Sequence, residues 1–363
     1  MIKFLDILKR DKIYAVFLLI LIAVNIYSLA DQMGSATVKG YVADEEALVP
    51  ANEIFIPENR KMFDMEEVSA RQARFEAMAG EKPLLYFFIA AVNLAILFFI
   101  FLGVMIDVIF AIKKRRGDKI DISLSRAEKP LWNVSDILRV VIVFVFFGYV
   151  FAFIQSFASS KFPVLGNINF RMISDTAFMN IAGVGVIFYF VLRKYSQSLA
   201  ALGLSRVSVP RAFFTAIGAY AAITPIFVGI MVATFFLVRA LNYEPPVQPI
   251  VEVFMEEKNI GVLWVSTLFA AIFGPIAEEI FFRGFMYPAL KKKWGMAVSI
   301  LVTSVIFSLL HTHIVGFLPI MALGILLAYI YEKTGSLLVP VAIHMIHNVG
   351  MVVMVLLVRV LET

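Results

Sequence analysis

Residues 273–284 read FGPIAEEIFFRG: two adjacent glutamates, Glu278 and Glu279, and one arginine, Arg283, inside an otherwise apolar stretch. An ionisable side chain at membrane depth costs about 2.5 to 3.5 kcal/mol on insertion scales, so each such residue marks a functional site with a partner nearby. Whether the surroundings are a membrane is decided by the rest of the chain. Its 363 residues are 61% hydrophobic and 16% charged, with a mean hydropathy of +0.88. That exceeds the ~45–50% apolar content of ordinary soluble domains. Several runs reach the ~20 apolar residues that a spanning helix needs. The expected fold is an all-α, polytopic transmembrane helical bundle.

Working outward, apolar runs at 13–30, 84–112, 137–157, 178–192 and 213–238 precede this stretch. It lies within 262–286, and runs at 296–310, 316–331 and 337–358 follow it, which makes about nine spans. The chain divides into 1–135, a two-span region with an acidic loop at 31–82; 136–260, three further spans; and 261–358, a helical core that holds the site. The first run carries a basic lead of Lys3, Lys9, Arg10 and Lys12 and ends near Ser28-Leu29-Ala30, a passable signal-peptidase site. It is long for a signal peptide, and a retained anchor is expected. Within the acidic loop, residues 62–78 place acids early and arginines late among good helix formers, the pattern of a surface helix. The loop reads as an exposed connection, with a lid or docking role as the alternative. No internal repeat is visible, so an inverted-repeat transporter gains no support.

The net charge of +5 does not point to nucleic acid. Lys and Arg cluster between the apolar runs, where they act as topology signals: Lys113-Lys114-Arg115-Arg116, Arg193-Lys194 with Arg206 and Arg211, and Lys291-Lys292-Lys293. These clusters fall on alternate loops and assign those loops and the N-terminus to the cytoplasm, with the 31–82 loop and the C-terminus outside. Cysteine is absent, which excludes disulfides, a thiolate nucleophile and Cys-ligated metal.

Two further groups of polar residues stand in the apolar runs after Arg283: His311 in FSLLH, and His344 and Asn348 in HMIHN. Residues four apart share a helical face, so Glu279 and Arg283 can form an ion pair in the favourable order. Glu278 points about 100° away. It is the carboxylate without a neutralising partner on its own helix and the candidate general base; the alternative is a single inert network of both acids and the arginine. His344 and Asn348 project from one face as two donors that can meet one oxyanion, or as satisfied interhelical hydrogen bonds. His311 follows Phe307 by one turn on another span, His313 is expected to meet water at the membrane edge, and His347 is expected to support or pack. The span edges put Glu278 in the inner half of its helix and His311 near the outer end of the next.

All four histidines fall between residues 311 and 347, which keeps zinc open as a cofactor, with Glu278, His311 and His344 as ligands. Against it, no HExxH is present and Arg283 would set a fixed positive charge beside the cation. The metal-free acid–base reading is preferred, with no cofactor.

EExxxR at 278–283, FxxxH at 307–311 and HxxxN at 344–348, in that order on three successive C-terminal segments, closely resemble the CPBP family. This family comprises type II CAAX prenyl endopeptidases and bacterial relatives, including bacteriocin-processing and lysostaphin-resistance proteins. The resemblance covers about 261–351. It implies an intramembrane endopeptidase acting on a peptide or protein substrate at the lipid bilayer, prenylated or not, and for the bacterial branch a place in the plasma membrane. Carried onto this chain, Glu278 and His311 activate water, His344 and Asn348 stabilise the oxyanion, and Glu279, Arg283, Phe307 and His347 support them. The competing class is a non-catalytic membrane protein: an ion-coupled transporter, or a binding or immunity protein.

Overall fold

The computed structural model describes residues 80–363 apart from 119–120, 126–127, 242, 244–247, 312–314 and 363, together with positions 16, 69, 73, 76 and 77. The first expected span, most of the 31–82 loop with its surface helix, and His313 lie outside the described residues. Among the described residues the structure is helical and holds no strand. The helices from Ile96 onward form one compact unit; the turns before Ile96 belong to another.

Ten helices carry the fold: α1 Pro83–Arg116, α2 Val134–Ala158, α3 Ile168–Phe188, α4 Val209–Ala240, α5 Pro249–Glu256, α6 Ile260–Leu268, α7 Gly274–Glu279, α8 Tyr287–Leu309, α9 Phe317–Thr334 and α10 Leu338–Glu362. Helices α6 to α8 run on as one element from Ile260 to Leu309, and among the described residues seven elements are long and apolar enough to cross a membrane. The difference from the sequence count has two sources. The first run is not described, and the runs at 262–286 and 296–310 are two arms of a single element. Helix α5 answers to no apolar run.

Local chemistry sets the ends. Asn133 accepts from Ser135 N at 2.9 Å while Asp136 accepts from Asn133 N at 3.0 Å, a reciprocal cap that starts α2. Asn167 and Asn259 cap α3 and α6 from one side only, their side-chain oxygens accepting from Phe170 N at 2.8 Å and Gly261 N at 2.9 Å. Inside the long element, Pro275 and Pro288 each occupy a helix start, and each is preceded by a π-helical segment, Phe269–Phe273 and Ile280–Met286. Proline has no N–H to give to the preceding turn, and a wider i→i+5 turn re-registers the ladder. At Gly295, with φ 75°, the element breaks. Phe282 before the break and Phe307 after it pack edge to face at 5.1 Å, so the two arms fold back on one another.

The loops at the basic end are laced together. Lys292 donates to the carbonyls of Pro130 and Trp132, each at 2.9 Å, and the fully buried Trp132 donates to Phe285 O at 2.8 Å. Asp136, also fully buried, pairs with Arg139 and Lys194 at 2.8 and 2.7 Å. At the other end Glu257 accepts from Asn169 and Asn259 N, both at 2.7 Å. Those bonds, that from Asn169 foremost, hold its carboxyl below the usual carboxylate range.

Helix–helix contact rests on small residues, as expected where lipid removes the hydrophobic drive for association. A Cβ placed on Gly324 of α9 would lie 3.0 Å from Ser304 Cβ of α8. One placed on Gly103 of α1 would lie 2.1 Å from Ala221 O of α4. A carbonyl in a helix cannot step aside, so Gly103→Ala must push the helices apart. Its expected cost is about 1 to 3 kcal/mol, read as a lowered midpoint in detergent thermal unfolding. Gly185→Ala, where nothing lies within 4 Å, should leave the midpoint unchanged; equal midpoints for both variants would refute the close approach.

Candidate active site

The adjacent glutamates of α7 part company. Glu279 is fully buried, and its Oε1 accepts from Arg283 Nη1 at 2.5 Å and from His344 Nδ1 at 2.9 Å. Arg283, 1% exposed, donates from Nη2 to Gly324 O at 3.2 Å and stacks its guanidinium 4.6 Å from the centre of the Phe307 ring. A carboxylate, a guanidinium and an imidazole thus form one buried group that links α7, the second π segment, α9 and α10, with Glu279 Oε2 and Arg283 Nε left without hydrogen-bond partners. Buried charges are tolerated on such terms, paired and hydrogen-bonded.

Glu278 faces the other way. Its side chain is 31% exposed, and its Oε2 is buried without a hydrogen-bond partner. His344 Nε2 stands 3.9 Å from that oxygen, beyond hydrogen-bond reach. Glu278 lines a largely apolar cavity of about 380 Å³ shared with Phe307 and His311 and walled by Val140 and Phe144 of α2 and Asn180 and Val184 of α3. His311 is tied by Nδ1 to Phe307 O at 2.8 Å. Since a carbonyl only accepts, Nδ1 carries the proton and Nε2 keeps a lone pair.

The depths expected for Glu278 and His311 are corrected here: the two share one cavity. Helix continues past Met286 through YPALKKKW to the break at Gly295, so Glu278 lies 17 residues before the break and His311 16 after it. Two antiparallel arms of equal length bring them level.

Phe307 is the hub of the site, 1% exposed, with Phe282, His311 and His344 rings at 5.1, 4.7 and 5.6 Å. His347 is turned to α4, where its Nδ1 meets Tyr220 OH at 3.1 Å and its ring packs on Phe227. Asn348 is not on the cavity wall. Its Nδ2 donates to Ala270 O at 2.8 Å, inside the first π segment, where the widened turn leaves carbonyls in need of donors. Among the described residues, no three His, Asp or Glu side chains are grouped as metal ligands would be. The wall residues of α2 and α3 were not foreseen. Of these only Asn180 carried a signal, as a lone carboxamide within an apolar run.

The type II CAAX prenyl endopeptidase Rce1-like family model matches residues 260–350, which hold all eight of these side chains. The C-terminal segment resembles that family over a quarter of the chain. A Bacillus subtilis protein named "Putative membrane peptidase YdiL" is 35% identical over 85 residues, 23% of this chain and 35% of that protein. An Escherichia coli protein named "Uncharacterized 24.3 kDa protein" is 29% identical over 163 residues, 43% of this chain and 69% of that protein. The chain thus spans about a third of the length of the first relative and about two thirds of the second. No solved structure matches. Helices α1 to α5 lie outside the Rce1-like segment, yet α2 and α3 complete the cavity that this segment opens.

Proposed function

We propose that this chain is an intramembrane endopeptidase of the glutamate type, with the basic end of the bundle in the cytoplasm. The observation that carries the reading is the division of labour between neighbours: Glu279 is fully buried with one oxygen committed to both Arg283 and His344, while Glu278, 31% exposed, opens on a cavity it shares with His311. The Rce1-like match over the same residues supports it.

In this mechanism Glu278, assisted by His311 Nε2, takes a proton from water as the water oxygen bonds to the scissile carbonyl carbon. The electron pair of the C=O bond moves to oxygen, and His344 and Asn348, on α10 behind the cavity lining, donate to that oxyanion once the carbonyl is seated between α7 and α10. Because His344 Nδ1–H is committed to Glu279, donation to the oxyanion falls to a proton on Nε2. Asn348 keeps a second amide hydrogen beyond the one bound to Ala270 O. Collapse of the intermediate breaks the C–N bond, and the proton held by Glu278 passes to the leaving amine. The apolar cavity wall suits a substrate segment with bulky apolar side chains.

The test is cleavage of a membrane-peptide library by the purified protein with and without chelator. Cleavage that resists chelation is expected; cleavage silenced by chelator and restored by added zinc would overturn the metal-free mechanism. Loss of an oxyanion donor typically costs about a hundredfold to a thousandfold in turnover, so Asn348→Ala should lower kcat by that order with KM little changed. An unchanged kcat would remove Asn348 from the chemistry and leave it only the π segment to hold.

A further inference from the structure

Far from Glu278 along the α2–α3 seam lies a second cavity, of about 300 Å³, lined by Ala152, Gln155, Ile168, Arg171, Met172 and Asp175. Asp136 at the start of α2 bonds Lys194 just past α3, so this pocket sits at the end of the seam remote from the basic loops. Between the two cavities the helices are in close contact: Phe151 stacks on Phe178 at 4.1 Å, and a Cβ on Gly148 would lie 2.8 Å from Met179 Sδ. The second pocket is therefore separate from the first.

Its polar groups are unusual for a membrane helix pair. Gln155 Oε1, Arg171 Nε and Asp175 Oδ1 are all buried without a hydrogen-bond partner, a condition buried polar atoms rarely tolerate. Gln155 is 4% exposed, and its orientation is fixed. Ser174 Oγ has its one hydrogen on the Phe170 carbonyl at 2.8 Å, with that of Arg171 at 3.0 Å as the alternative acceptor, and toward Gln155 it accepts, from Nε2 at 2.8 Å. The Oε1 of Gln155 is thereby left as an acceptor. Two acceptors, one of them anionic, and one cationic donor thus line one small pocket. No ion pair joins Arg171 to Asp175 across it among the described residues.

We infer that this pocket binds the phosphoethanolamine headgroup of a bilayer lipid. Its ammonium supplies N–H donors for Gln155 Oε1 and Asp175 Oδ1, and its phosphate accepts from Arg171 in a charge-assisted bond. The volume is at the lower end of the ~300–1,000 Å³ of small-molecule sites. The surrounding surface fits acyl chains: Phe153, Ile154, Phe157 and Ile168 are all exposed. A free zwitterion of the same chemistry would satisfy the polar groups but leave that apolar rim unused. The inference does not depend on the peptidase reading.

The full chain in detergent is incubated with equimolar dioleoyl-phosphatidylethanolamine, -phosphatidylcholine and -phosphatidylglycerol, and retained lipid is counted by native mass spectrometry. Phosphatidylcholine has the same charges but no N–H, and phosphatidylglycerol has no cation. Ethanolamine lipid should be retained at least about tenfold over either, the worth of one charge-assisted hydrogen bond. Asp175→Asn should erase most of that preference, and Arg171→Met should lower retention of all three lipids alike, neither altering cleavage of the peptide library. Equal retention of the three lipids by the unaltered chain would overturn the inference, and so would an undiminished preference in Asp175→Asn or unchanged retention by Arg171→Met. Displacement of the lipid by equimolar soluble O-phosphoethanolamine would also overturn it, by showing that the site serves a free zwitterion.

Discussion

Replacing Glu278 by glutamine should leave a folded, membrane-inserted protein whose turnover falls by at least about 10²- to 10⁴-fold, the usual contribution of a general base. The amide keeps the size of the carboxylate but cannot take a proton from water. The change should be silent in stability, because Glu278 Oε2 has no partner to lose and the side chain already opens on a cavity. Turnover and thermal midpoint are measured on the same preparation, and retention of near-normal turnover would end the assignment of Glu278 as base.

Arg283→Ala should do the reverse and strike the fold first. It removes the guanidinium bonded to Glu279 and stacked on Phe307, together with its bond to Gly324 O. Breaking one side of a buried ion pair costs about 3 to 5 kcal/mol, because the remaining charge has no water to turn to. Yield and thermal midpoint should both drop sharply. Pairing the change with Glu279→Gln, which removes the stranded charge, should recover part of the loss. An Arg283→Ala protein as stable as the parent would mean that the pair carries no weight in the fold.

What the sequence made legible follows from how local each feature is. Glu279 and Arg283 are one helical turn apart, and the divergence of Glu278 from its neighbour follows from 100° per residue alone, so both could be read before any tertiary contact was known. The level of His311 was misread because the apolar runs were taken as the helices. YPALKKKW is too polar to count as a span, yet it is helical, and the turn falls at Gly295. The engagement of Asn348 with Ala270 depends on a π turn forced by a proline five residues further on, and no i, i+4 rule anticipates it. The wall from α2 and α3 rests on packing across more than ninety positions of sequence, where only the lone Asn180 stood out.

The break at Gly295 also decides what can vary independently. Glu278 and His311 face one cavity because they stand at matching distances from a single turn, so their alignment is a property of one short stretch of chain. One residue added to either arm would rotate its end by about 100° and shift it by about 1.5 Å, and the pair would no longer be in register. The opposite wall tolerates more. Val140, Phe144 and Val184 carry no such count, and they belong to helices outside the Rce1-like segment. The shape of what fits the cavity and the groups proposed to act on it are thus written in separate parts of the chain, and the first can be redrawn while the second stays fixed.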